Sequence, residues 1–261
     1  MEVRIAQASA GPTARALVMT GVAGLGLAAF VNLRPQQPWI LWLTAALVAL
    51  GVDGLVRTHP KWRSEGWFTS VVYVVLPALA TLGIGYFIDE VVNGYWRLAA
   101  AAAGTLGVGI VAYGQYHTVD FGSRLYGAMR LLLAMATYLT AFALYAVMFN
   151  SDIGLPLAGL AVAAVSMALS VEMLRESHLT GPSSLLVGLA IGVSLGELRL
   201  VLYFFALDGL FAGALLIIAF YLATGLVHHL LDRDLGWGTA AEYIGVATVG
   251  TAAVLFTRVL L

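Results

Sequence analysis

The chain contains no cysteine, and only one of its thirteen basic residues, Lys61, is a lysine. Without thiols there is no disulfide, no thiolate nucleophile, no iron-sulfur cluster and no sulfur-ligated zinc, which leaves histidine and carboxylate side chains as the only ligands for a metal. Charge is also scarce: 10% of the 261 residues are charged, against roughly 25% in an ordinary soluble domain. So few charges cannot cover a water-facing surface. The formal net charge is -1 and no long basic tract occurs, so there is no electrostatic footprint for nucleic acid.

Several catalytic signatures are missing too. There is no HExxH zinc motif, no GxSxG nucleophile elbow and no Walker loop. Lys61 lies outside every apolar run, so no lysine is placed to carry a retinal Schiff base. The run GTLGVG (104 to 109) has no strand before it and is not a dinucleotide loop. The Asp-rich helix ends through which intramembrane prenyltransferases hold diphosphate are absent as well, since the corresponding ends read VDGLVRTH and VEMLRESH.

Apolar residues are present in abundance: 61% of the chain is hydrophobic and the mean hydropathy is +0.93. A hydrocarbon core roughly 30 Å thick takes about 20 apolar residues per helical span. Nine such windows occur, near 14–33, 38–56, 67–88, 95–114, 128–149, 154–174, 182–206, 209–229 and 239–260. Turn chemistry separates them: Arg34-Pro-Gln-Gln-Pro38, His59-Pro60, Asn93-Gly94, Asn150-Ser151-Asp152, Gly181-Pro182 and Asp208-Gly209. The expectation is an all-α, polytopic transmembrane bundle of about nine spans, eight if one is re-entrant, forming a single domain over residues 1–261. The spans that begin near Gly94 and Gly181 carry the glycine expected of a broken or re-entrant helix. The N-terminal run, with Arg4 and Arg15 before it, continues to Leu33 without a nearby small-residue cleavage site and reads as the first span rather than a signal peptide.

With nine spans, nine basic residues fall on the N-terminal side and four (Arg34, Arg97, Arg199 and Arg258) on the other. The positive-inside rule then places the N-terminus in the cytoplasm and the C-terminus outside. The preference for arginine over lysine points to a GC-rich bacterial genome and so to a bacterial inner membrane.

On this topology the second, fourth, sixth and eighth spans each end on the cytoplasmic side in a polar cluster: VDGLVRTHPKWR, YGQYHTVD, VEMLRESH and HHLLDRD. All five histidines, His59, His117, His178, His228 and His229, fall there. His228 and Asp232 are i,i+4 neighbours, as are Glu172 and Glu176, so each pair is expected on one helix face. His117 and Asp120 add to the set. Two readings compete: a wet helix end, or a site for a substrate or ion. Spacing supplies only pairs of ligands, short of the three or more a metal or tetrapyrrole centre needs, and it names no cofactor.

Deeper in the membrane, Glu197 and Arg199 interrupt an apolar run, and Glu197 is expected to be buried beside a basic partner, Arg97 or Arg34. Thr137, Tyr138, Thr140, Ser166, Ser170 and Ser194 are candidates for a polar path. Asp53 and Arg57 read as an i,i+4 ion pair, and Glu242 as an anion at a helix N-terminus. The six tryptophans mark span ends. The functional expectation is a transporter or a bundle that binds a small ligand or lipid. The alternatives are a membrane-embedded enzyme acting on a lipid or isoprenoid, with His228 or His117 as base, or an assembly subunit without a site. The bilayer is the one partner the sequence requires, and oligomeric state is not encoded in any visible pattern.

Overall fold

The structure, a computed structural model, describes residues 11–33, 37–62, 67–151, 153–176, 181–205 and 207–260. These residues form nine helices: α1 (Pro12–Asn32), α2 (Pro38–Val56), α3 (Trp67–Val91), α4 (Trp96–His117), α5 (Tyr126–Asn150), α6 (Leu155–Met173), α7 (Gly181–Leu202), α8 (Gly209–Leu231) and α9 (Trp237–Leu260). Short 3-10 turns, Leu174–Glu176 and Tyr203–Phe205, extend α6 and α7. All nine are long and apolar enough to cross a membrane, and no strand occurs among the described residues. The protein is a multi-pass membrane bundle. The spans near Gly94 and Gly181 are continuous helices rather than re-entrant ones.

Local chemistry sets the boundaries. Pro12, Pro38 and Pro156 occupy the first turn of α1, α2 and α6, where their fixed φ suits a helix and the missing N–H costs nothing. Between α3 and α4 the chain turns at Gly94, which adopts φ 64, a conformation easy for glycine alone. Arg97 completes that turn by donating from Nε to the Val92 carbonyl and from Nη2 to the carbonyl and carboxylate of Asp89. At the end of α8, Arg233 takes the left-handed φ of 59. The Asp234 N–H then donates to the His229 carbonyl and the Arg233 N–H to Leu230, a Schellman closure without its usual glycine.

Consecutive helices run antiparallel. One end of the bundle, called the near end because α1 starts there, gathers the last turns of α2, α4, α6 and α8 with the first turns of α3, α5, α7 and α9. Bonds from Lys61 to Asp120 and from Gln115 to Glu172 tie it together. The far end holds the opposite termini, joined by Asn150 to Gly209 and Arg258 to Phe205.

The main apolar core, which includes Leu27, Leu76, Leu133, Tyr145, Leu169, Leu216 and Phe220, runs through α1 to α8. A smaller cluster fills the space between α1, α2 and α4. The tightest seam lies between α6 and α7, where Gly188, Gly192 and Gly196 face Gly159, Ala163 and Met167. A Cβ added at Gly196 would sit 2.7 Å from the Gly159 carbonyl oxygen, and one at Gly192 would strike the carbonyl of Ala163. Small residues allow this approach, and dispersion between the two backbones holds it in lipid. By contrast, α9 packs chiefly on α8.

Candidate functional site

The near end is built around Glu172, on the last turn of α6 and 1% exposed. Its Oε1 accepts from Arg130 Nη1 of α5 at 3.2 Å and from Gln115 Nε2 of α4 at 3.2 Å, and lies 3.4 Å from Arg175 Nη1. Arg130 also caps α6, donating from Nη2 to the carbonyls of Glu172 (3.0 Å) and Met173 (2.7 Å), where a cation opposes the negative end of the helix dipole. Arg175 extends the network to Gln115 Oε1 and Thr118 Oγ1, both at 2.7 Å, and lays its guanidinium 4.3 Å from the centre of the Tyr73 ring. Helices α4 and α5 and the turn after α6 are thereby joined at one carboxylate. Glu172 Oε2 and Ser170 Oγ are buried without a hydrogen-bond partner among the described residues.

Beside this network a cleft of about 390 Å³ opens between α5, α6, α8 and α9. Its polar lining comes from Tyr126, Arg130, Tyr138, Thr224, His228 and Tyr243. Leu131 and Ala134 of α5 supply apolar wall, and Leu131 is itself exposed on the lipid-facing side. At its floor Tyr138 Oη and Thr224 Oγ1 lie 3.3 Å apart. The Tyr138 and Tyr145 rings each pack edge to face on Phe220, in the apolar core next to the cleft. Gly225 matters here, because any Cβ at that position would meet the Tyr243 ring lying against α8.

The stretch GLVHHLLDRD therefore borders this cleft. His228 faces it, with Nε2 3.3 Å from Asp232 Oδ2, and the two side chains are 40% and 38% exposed. With His228, the cleft lining among the described residues offers Arg130 and tyrosines and no carboxylate. His229 turns away and pairs with Asp234 at 2.9 Å.

A separate patch joins α2 to α4. Lys61 Nζ donates to Asp120 Oδ1 at 2.8 Å, and the His59 ring packs 4.8 Å from Tyr116, which in turn touches His117. The Lys61 and Gly122 N–H bonds hold the Asp120 carboxyl below its usual range, and partial burial lowers His59, opposed by the nearby Asp120 charge. The histidines accordingly do not converge: His59 and His117 belong to this patch and His228 and His229 to the other, while His178 lies outside the described residues. Among the described residues no three histidine or acidic side chains gather at metal-binding spacing.

The sequence matches, over residues 10–257, the family described as Protein of unknown function (DUF5656). The chain belongs to that family. No curated protein and no solved structure matches it.

Against this geometry several sequence expectations change. Glu172 and Glu176 do not share a continuous α-helical face, because α6 gives way to a 3-10 turn at Leu174, and the Glu176 side chain lies outside the described residues. Glu197 is exposed and has no bond to a described residue, while Arg97 is taken by Asp89; Arg34, its other expected partner, lies outside the described residues. Arg199 is the buried member of that pair. Ser194 faces outward, whereas Thr137, Ser166 and Ser170 are fully buried. Asp53 and Arg57 form their ion pair at 2.7 Å. The residues that complete the near-end network, Gln115, Thr118, Arg130 and Arg175, carry no motif; their only sequence signal is that they are polar within a turn or so of span ends.

Proposed function

We propose that the protein is a membrane bundle that binds a small amphipathic ligand or lipid in the near-end cleft, with that end in the cytoplasm of a bacterial cell. What supports this reading is the cleft itself, whose wall holds a guanidinium fixed in place by Glu172 and whose outer side carries the exposed, apolar Leu131. The ring stack below Tyr138 favours a binding site over a through-path, since the inner hydroxyls of Thr137, Ser166 and Thr224 donate to carbonyls one turn back on their own helices.

Native mass spectrometry of protein released gently from its membrane tests the reading. The parent should retain a bound amphiphile, and Ala134→Phe, which fills the cleft, should lose it without a change in helix content. His228→Ala should weaken retention roughly tenfold, the effect of one hydrogen bond of about 1.4 kcal/mol. Equal occupancy in the parent and Ala134→Phe would remove the cleft as the site.

The Asp232-held imidazole supports a second reading, in which His228 acts as a base on a lipid or isoprenoid substrate. Recovery of chemically altered amphiphile from the parent, and of unaltered amphiphile from His228→Ala, would favour it.

Orientation follows from the arginine bias and is tested separately. A phosphatase reporter, active only outside the cytoplasm, fused after Leu261 should be active. Activity from a cytoplasm-only reporter at the same position would reverse the assignment.

A further inference from the structure

At the far end Arg199 is 3% exposed, one turn before the last residues of α7. Its Nη2 makes a long 3.4 Å contact to the Phe149 carbonyl, and its guanidinium lies 4.0 Å from the Phe149 ring centre. Nε and Nη1 are buried and donate to no group among the described residues. An arginine cannot escape this by losing its proton, and each unsatisfied N–H in an apolar setting is costly.

The described carboxylates nearby do not serve it. Glu197, two residues earlier, points to the opposite side of α7 and is exposed; Asp208 is exposed at the start of α8; Asp89 is held by Arg97. The C-terminal end of α5 and the Phe149 π-face favour a cation there, yet they leave two donors unused.

Depth says what is available. Immediately beyond Arg199 the chain leaves the bundle through Tyr203, Phe204 and Phe205, all exposed, which is the aromatic signature of the headgroup boundary. Tyr203 lies at that boundary, its ring centre 5.9 Å from the guanidinium and its side chain exposed, so the buried donors sit close to the headgroup layer.

We propose that Arg199 is an oxyanion-binding residue at the far face, taking a phosphate group into the wedge between the ends of α5 and α7. The planar guanidinium matches phosphate oxygens and recruits them at low desolvation cost compared with an ammonium. A lipid phosphodiester of the adjacent leaflet and a free phosphate of the aqueous phase offer the same oxygens, and the experiment separates them. The site is independent of the near-end cleft.

The test uses the full chain in maltoside detergent, carrying Ala134→Phe to silence the near-end cleft. Phosphatidylglycerol, the diacylglycerol with the same acyl chains and inorganic phosphate are added in turn, and retained lipid and melting temperature are recorded. Phosphatidylglycerol should add one retained lipid and raise the melting temperature, and diacylglycerol should do neither. Arg199→Met should abolish that lipid, and Arg199→Lys should weaken its retention about tenfold through loss of the planar fork. If millimolar phosphate reproduces the thermal shift, the oxyanion comes from solution; if only phosphatidylglycerol acts, it is a lipid phosphate. The proposal is overturned if the diacylglycerol acts as well as phosphatidylglycerol, or if Arg199→Met retains as much phosphatidylglycerol as its parent.

Discussion

Replacing Glu172 by alanine should lower stability by about 3 to 5 kcal/mol, the range found when one partner of a buried ion pair is removed. Arg130 and Arg175, whose side chains are 11% and 12% exposed, would lose the carboxylate they share and face one another as like charges. Gln115 would lose an acceptor in the same step. Glu172→Gln keeps the volume and an acceptor oxygen, so it should cost less than alanine. Adding Arg130→Met to Glu172→Ala should recover part of the loss, because residues in one network are not additive. Thermal unfolding in detergent reads all three, and a Glu172→Ala protein that melts with its parent would show the network to be energetically idle.

Gly192→Leu should prevent assembly of the bundle, and Gly192→Ala should cost about 3 kcal/mol, the upper range for overpacking a filled core. Whether a Cβ is tolerated depends on what it meets. At Gly192 it meets the backbone carbonyl of Ala163, which has no rotamer to change, and the Met167 Cβ at 3.0 Å. At Gly21 on α1 nothing lies within 4 Å, so Gly21→Ala should be neutral or slightly stabilising, by up to about 1 kcal/mol of helix propensity. Equal melting temperatures for the Gly192→Ala and Gly21→Ala proteins would mean that α6 and α7 are not in backbone contact.

The span pattern was legible because it rests on a length, and hydrocarbon thickness turns length into number of helices. Asp53–Arg57 and His228–Asp232 were legible for a related reason: i,i+4 geometry is local to one helix. What the sequence withheld was rotation. A helix apolar on every side has no amphipathic face to say which residues look inward. Glu197 and Arg199 illustrate this, being two residues and therefore about 200° apart, so one had to be buried and the other exposed. The sequence does not say which, and the packing buried the arginine. Glu172 was recognisable as polar near a span end, but its partners come from α4, α5 and the turn after α6, and no spacing rule links residues 115, 130 and 175.

The seam between α6 and α7 also has a mechanical meaning. Two helices whose backbones touch cannot slide or rotate past one another without lifting apart, so the pair moves as one stiff strut, and Arg130 bolts α5 to it through the carbonyls of Glu172 and Met173. On the other side of the cleft, α9 leans on α8 with a tyrosine ring set into the notch at Gly225. The compliance of the near end is therefore lopsided. Widening its mouth costs least by swinging α9 outward on the Tyr243 contact, while the wall that carries the guanidinium stays where it is.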